Sequence, residues 1–321
     1  MSERFLVTGA HGCIGSWVVH ELLADGAPVV SLDVSTSTAR LELLLSPEQL
    51  VDVVHVQADI GDAAAVERAI SMHGITNLIH LAALQVPACR ANPPLGAAVN
   101  VLGTVNVFEA ARKAAGKVRS VVYASSVAAY DALEEGADTG AMSGHPATLY
   151  GVYKRANEGI ATVYWSDFGV PSLGLRPHTV YGVARDQGLT SAPTFAMLAA
   201  AAGVPFRIGY GGLAQFQYAR DVARAFIAAG RAAARGASVH DLPGRSTAME
   251  EVVDAIVAAA PEAAGTISFQ SSSLPFPSML DGSSLEALTG SLPQTSLNDG
   301  VRETVARFRH LLAAGRVAPP A

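Results

Sequence analysis

Over residues 1–177 the chain alternates short β-branched apolar runs with stretches of helical periodicity, and this alternation constrains the fold more than any other feature. Residues 4–9, 28–33, 53–59, 77–83, 120–126 and 171–177 read as strands, and 13–25, 62–73, 94–115 and 150–169 between them as helices. Strands joined through helices return by right-handed crossovers and lie parallel. Six of them predict an α/β, Rossmann-type doubly wound parallel sheet. After Pro177 the pattern loosens. Gly, Pro and Ser cluster at 203–214 and 265–284, with helices expected near 192–202, 219–235, 247–259 and 298–314.

Composition narrows the possible roles. Half of the 321 residues are hydrophobic and 16% are charged, as in a globular protein. A net charge of −6 and a pI near 5.8 argue against nucleic acid or an anionic membrane as partner. Cys13 and Cys89 form neither a metal-ligand spacing nor a disulfide framework, so no metal and a reducing, cytoplasmic home are expected. "RFLVTGA" is too short for a signal core, and Arg224, Arg231 and Arg235 break the Ala-rich stretch at 221–238, so no membrane span is expected.

"TGAHGCIG" sets Gly9, Gly12 and Gly15 directly after the first strand and at the opening of a helix. Such spacing permits a tight turn, close approach of backbone N–H groups to a pyrophosphate, and close helix–strand contact. Asp33 ends the second strand, where a carboxylate can accept the ribose hydroxyls of an adenosine. The following "VSTST" holds no Arg or Lys for a 2′-phosphate, so NAD is expected rather than NADP. Asp59, ending the third strand, is a candidate for the adenine edge. The cofactor set expected is Gly9, His11, Gly12, Cys13, Ile14, Gly15, Asp33, Asp59, Ile60, Leu81, Ala82 and Ala83, with Asn100, Tyr150, Lys154, Pro177 and Thr179 at the nicotinamide end. The chain then divides into an NAD-binding domain, 1–177, and a mainly substrate-binding region, 178–321, with some segments packing back on the sheet.

Lysine is nearly absent. Arginine supplies 19 of the 22 basic residues, and the lysines are Lys113, Lys117 and Lys154. Lys154 follows Tyr150 by one helical turn, so both project from one face. An ammonium beside a phenol favours the phenolate, and its freely directed donors suit ribose hydroxyls better than a planar guanidinium. Ser125 and Ser126 end the fifth strand, at the sheet edge where such folds bind ligands, and a hydroxyl there can orient a substrate alcohol.

These residues, with "ADIGD", "LIHLAA", "NVLGT", "SSVAAY", "YGVYK", "RPHTVYG", "ARDVARAF" and "SLNDGVRETV" in that order, resemble the extended short-chain dehydrogenase/reductase family, in its NAD-dependent epimerase/dehydratase branch. The resemblance implies a catalytic tetrad: Ser126 holding the substrate hydroxyl, Tyr150 as acid/base, Lys154, and Asn100 supporting Lys154. It also implies that Pro177 to Thr179 pack near the carboxamide. A homodimer through the helices near 94–115 and 150–168 is implied as well.

Departures from the family bear on the substrate. Ser126-Val127-Ala128 replaces the Thr-Asp-Glu run of sugar 4,6-dehydratases, so elimination of water lacks its acids. Ala214 and Gln215 stand where nucleotide-sugar epimerases usually carry a phosphate-binding arginine, Thr179 replaces a common asparagine, and no Lys or Arg lies between Arg245 and Arg302. Arg185, Arg207 and Arg220 remain as substitutes. The reading drawn from the sequence is an NAD-dependent oxidoreductase acting on a secondary alcohol or ketone of a small, unphosphorylated polyhydroxylated molecule. Its candidate contacts are Gln85, Ser125, Ser126, Arg185, Gln187, Thr190 and Ser191. The alternative is a nucleotide-sugar 4-epimerase with tightly bound NAD. A dinucleotide-sensing regulator is disfavoured by the intact tyrosine–lysine pair.

Overall fold

A computed structural model describes residues 3–114, 116–132, 145–232 and 235–320. Its strands are β1 (Phe5–Thr8), β2 (Val29–Asp33), β3 (Val54–Gln57), β4 (Asn77–His80), β5 (Val121–Ala124), β6 (Ser172–Arg176), β7 (Thr179–Tyr181), β8 (Phe206–Ile208), β9 (Leu213–Tyr218), β10 (Ala237–Asp241), β11 (Ser246–Ala248) and β12 (Ile267–Phe269). Seven of them form one sheet in the order β10-β6-β5-β4-β1-β2-β3, with every pair parallel. Successive strands run outward in one direction from β1 and in the other from β4, so the topological switch lies between these two. The crevice beyond their carboxyl ends is where such sheets bind ligands. Thr8 is in register with Leu32 on one side and His80 on the other, which brings Gly9, Asp33 and Leu81 level at that edge.

Alternate residues of each strand feed opposite faces, as the period of two requires. Phe5, Val7, Ile79 and Val122 join one core with Trp17, Val18 and Leu22 of the helix Cys13–Ala24 and with Val222, Phe226 and Ile227 of the helix Ala219–Arg231. Leu6, Leu78, Val121 and Tyr123 join the other, with Val107 and Phe108 of the helix Gly103–Lys113 and Ala161 of the helix Leu149–Phe168. Segments after residue 177 belong to this layer too. β10 extends the sheet beyond β6, and the helix Ala219–Arg231 packs on Cys13–Ala24. The remaining strands form two small sheets, β11-β9-β7 and β12-β8.

Where the structure differs from the expected elements, the differences build the site. Strands expected over 4–9, 77–83 and 120–126 end at Thr8, His80 and Ala124, because the residues that follow leave the ladder to line the crevice. The helix expected over 94–115 is composite: Pro93–Ala97, a π-helical segment Ala98–Leu102, and Gly103–Lys113. Ala115, and residues 233–234 of the helix expected over 219–235, lie outside the described residues. Among the described residues no helix is long and apolar enough to cross a membrane, and no group of three His, Cys, Asp or Glu is placed to hold a metal ion.

Candidate active site

A cavity of about 700 Å³ runs along the carboxyl edge of the sheet from Asp33 to Tyr150 and on to Phe276. One end is built by the glycine turn. Gly9 has φ +66°, and a Cβ there would lie 2.6 Å from Ala82 N, so only glycine allows β1 and β4 to end this close together. A Cβ on Gly15 would lie 2.1 Å from Gly9 O, so the helix Cys13–Ala24 starts in direct contact with the turn. Its N-cap, Gly12, offers no side-chain acceptor, which leaves first-turn N–H groups for an anion. Asp33 is fixed by His11 N at 3.0 Å and Ser35 N at 3.0 Å, leaving acceptor capacity toward the cavity. Asp59, Ile60 and Leu81–Ala83 complete the wall, and Asp59 also accepts from Gly61 N at 2.8 Å. The residues fit a dinucleotide: a glycine cradle that a Cβ would fill, a helix start, and an anchored carboxylate beyond it.

The other end is assembled by the helix Leu149–Phe168. Thr148 Oγ1 caps it by accepting from Gly151 N at 3.0 Å. A Cβ on Gly151 would lie 2.0 Å from Ala128 O, so the missing side chain lets the helix start press against the short 3₁₀ turn Val127–Ala129. Tyr150, on the first helical turn, thereby lines the cavity together with Ser126 at the head of that turn, whose Oγ accepts from Ala128 N at 3.1 Å. Lys154 is buried one turn on, with Nζ donating to Ala124 O at 2.7 Å and standing 5.5 Å from the Tyr150 ring centroid. Burial pushes the Tyr150 phenol up to about 12, while the Ser126 hydrogen bond and the Arg185 charge pull it the other way. The Lys154 ammonium is not among the groups that lower it; burial instead depresses Lys154 itself to about 8. In the protein alone the phenol keeps its proton.

Several expected contacts lie elsewhere. Asn100 stands behind the cavity wall: Oδ1 accepts from Leu84 N at 2.7 Å, and Nδ2 donates to Leu84 O at 3.0 Å and Cys89 Sγ at 3.3 Å. Its link to the Lys154 helix runs through Asn157, whose Nδ2 donates to Asn100 O at 2.8 Å. The π-helical segment leaves that carbonyl open to Asn157 and to Thr104 Oγ1 at 2.8 Å. Ser125 lines the cavity but commits its hydroxyl proton to Glu158 Oε1 at 2.5 Å, because Glu158 is the centre of a buried network. Arg176 donates to both Glu158 oxygens at 2.7 and 2.8 Å, and also to Tyr130 Oη at 3.1 Å. Thr179 is buried in β7, and Ser191 caps its own loop by donating to Gly188 O at 2.8 Å; neither lines the cavity. Gln85, Gln187, Thr190 and Arg185 do line it, as do Ser126 and Pro177.

Other lining residues were missed. Arg40 reaches the cofactor end, donating to Asp186 at 2.8 and 3.0 Å and to His11 O at 2.9 Å. Its signal was available, since it lies seven positions after Asp33, just beyond "VSTST". His178 lines the substrate end: Nε2 donates to Pro277 O at 2.7 Å, so Nδ1 accepts from Thr179 Oγ1 at 3.1 Å. Phe276, held nearby, arrives from a loop with no periodic pattern. Ala214 is buried, and the buried Gln215 donates to Gly244 O at 3.0 Å and Leu280 O at 2.9 Å, so this part of β9 ties loops together. Of the expected arginine substitutes, Arg220 pairs with Glu21 at 2.9 Å and Arg207 lies on β8; neither lines the cavity, and Arg185 does.

A doubly wound sheet with a glycine cradle at its switch point and a serine, tyrosine and lysine at the far end of the same crevice defines a nicotinamide-dependent enzyme. The chain belongs to the NAD dependent epimerase/dehydratase family, whose model matches residues 5–242. It uses NAD. It is 34% identical to a UDP-glucose 4-epimerase of Mycolicibacterium smegmatis, over 96% of this chain and 99% of the relative. The crystal structure of Thermus thermophilus UDP-glucose 4-epimerase in complex with NAD superposes with a TM-score of 0.77 at 29% identity, covering 95% of this chain and 99% of that one. An L-threonine dehydrogenase from Clostridium difficile shares the fold, with a TM-score of 0.80 at 19% identity over 96% and 98% of the two chains.

Proposed function

We propose that the protein is a sugar 4-epimerase of the nucleotide-sugar type, oxidising a ring alcohol and reducing it again from the opposite face while NAD stays bound. The reading is carried by similarity to a UDP-glucose 4-epimerase over 96% of this chain, together with Ser126 and Tyr150 lining the end of the NAD crevice. NAD held on the glycine turn supplies the hydride acceptor and, once reduced, the donor. Its positive ring is also the charge that would draw the Tyr150 phenol down from about 12. Ser126 orients the substrate hydroxyl. Tyr150, as phenolate, takes the hydroxyl proton when the carbonyl forms and returns it when the carbonyl is reduced. Lys154, fixed through Ala124 O one turn from Tyr150, would turn its remaining donors to the ribose hydroxyls of bound NAD. Asn100 acts from behind, positioning the Leu84 loop and the Lys154 helix.

A second reading, net oxidation or reduction of a small unphosphorylated polyhydroxylated substrate, is favoured by one observation. The substrate end of the cavity offers Arg185, with no cation from Ala214 or Gln215. The two readings separate by experiment. Purified protein without added NAD should convert UDP-glucose to its C4 epimer with no accumulation of NADH. Net NADH from a free sugar or polyol, with UDP-sugars untouched, would replace the first reading by the second. We further propose a homodimer through the helix Leu149–Phe168 and the segment before Lys113, where Leu102, Val152 and Val163 expose apolar side chains.

A further inference from the structure

We infer that Arg185 anchors a carboxylate, so that the sugar presented to Tyr150 is a sugar acid. The inference rests on the proposal that a sugar alcohol reaches Tyr150, and it adds the chemical class of that sugar. Among the described residues three cations line the cavity: Arg40, Lys154 and Arg185. Lys154 is committed to Ala124 O and Arg40 to Asp186 and the His11 carbonyl. Arg185 is different. Its guanidinium donates from Nη2 to Thr190 Oγ1 at 3.0 Å, and its Nε is buried with no hydrogen-bond partner among the described residues. A buried guanidinium N–H with nothing to bond to is costly, and the cost falls when a ligand brings an acceptor.

The loop holds Arg185 in this position at some expense. Ala184, just before it, has φ +73°, the non-glycine left-handed residue among those described. Such a conformation is strained for a residue with a Cβ and persists where the surroundings enforce it. Gly188, at φ +97°, closes the loop so tightly that a Cβ would lie 2.9 Å from Gln85 Oε1 and 3.2 Å from Arg185 Nη2. Gln85 and Thr190 therefore flank the guanidinium and can complete the hydrogen bonds of a planar carboxylate held by its fork. Arg185 and Tyr150 line the same cavity, so a carboxylate held on the guanidinium shares that space with the reacting hydroxyl. One guanidinium matches one carboxylate. The carboxylate can belong to a free sugar acid or to a nucleotide-linked one.

The NAD-loaded protein, as wild type, Arg185→Gln and Arg185→Lys, should be titrated calorimetrically with two matched pairs: D-glucuronate against D-glucose, and UDP-glucuronate against UDP-glucose. Turnover of each is measured alongside, and melting temperature and bound NAD confirm that the variants fold. In the wild type the acid of at least one pair should bind about 10- to 100-fold tighter than its neutral partner. Arg185→Gln should bring that ratio close to one, and Arg185→Lys should restore part of it. Preference within the free pair assigns a free sugar acid, and preference confined to the UDP pair assigns a nucleotide-linked one. Equal affinity for acid and neutral sugar, an unchanged ratio in Arg185→Gln, or no binding of either acid overturns the anchor. Arg185-dependent binding of an acid without inversion sinks the epimerase reading and leaves the anchor standing. Inversion of a neutral sugar with no acid preference does the reverse.

Discussion

Acidification should loosen the site through two histidines that frame it. His80 is buried at the end of β4; Thr104 Oγ1 spends its proton on Asn100 O, so His80 Nε2 donates to Thr104 at 3.0 Å and Nδ1 accepts from Thr8 Oγ1 at 2.7 Å. His178, also buried, pins Pro277 beside the cavity. Burial depresses His80 to about 3 and His178 to about 4, against an ordinary value of 6.5. Both are therefore neutral in the fold at any pH above these values, while the unfolded chain protonates below about 6.5. The depressed values mean that stability is complete above about pH 6.5 and is lost as pH falls toward 4. Between about pH 7.5 and pH 5 each histidine loses roughly 1.5 pH units of linkage, about 2 kcal/mol, or ~4 kcal/mol for the pair. For a chain of this length that is a fall of roughly 6 °C in melting temperature. Glu21, held down to about 2 against burial by His20, Arg224 and Arg220, begins to contribute only below this window. Scanning calorimetry of the NAD-loaded protein across the range, with His80→Gln and His178→Gln alongside, measures it. A melting temperature that stays level from about pH 7.5 to 5, or a slope that neither substitution shallows, would mean that the fold does not hold these histidines neutral.

Three further outcomes follow from the same geometry. Tyr150→Phe removes the acid/base group and should cut kcat by about 10²- to 10⁴-fold while leaving bound NAD in place; equal loss of NAD on purification would assign the residue to binding. Gly151→Ala drives a Cβ to 2.0 Å from Ala128 O, and the resulting shift of Tyr150 from Ser126 should lower kcat about 100-fold and stability by about 1–3 kcal/mol, read by turnover and melting temperature. Val152→Arg with Val163→Arg places two charges on the exposed stripe of the helix Leu149–Phe168, and light scattering should then report a monomer where the wild type is a dimer; a wild-type monomer removes that proposal.

The sheet and the cofactor end were legible because their signals are local. Each buried parallel strand is a continuous apolar run, and Gly9, Gly12 and Gly15 lie within seven residues of one another beside a strand end. Tyr150 and Lys154 were legible for the same reason, being one helical turn apart. The substrate end was less so. Ser125 and Ser126 are adjacent in sequence, yet one serves the Glu158–Arg176 network and the other faces Tyr150, a division set by a helix that begins more than twenty residues later. Arg40 and Asp186 lie 146 positions apart, and His178 and Pro277 lie 99 apart, so no spacing rule joins them. The strands after Pro177, β7 to β12, were given no assignment from the sequence, β10 of the main sheet included, because three to six residues give too little alternation to register.

The proposal that oxidation and re-reduction occur on one bound NAD is tested most directly by isotope. A UDP-hexose deuterated at C4 should be turned over by the purified holoenzyme without added NAD, and the C4 epimer examined by mass spectrometry and NMR. Epimerisation on one bound NAD gives an inverted C4 that keeps its deuterium, with none in free NADH. Deuterium released into free NADH, with no inverted sugar formed, would contradict it and assign the protein to net oxidation.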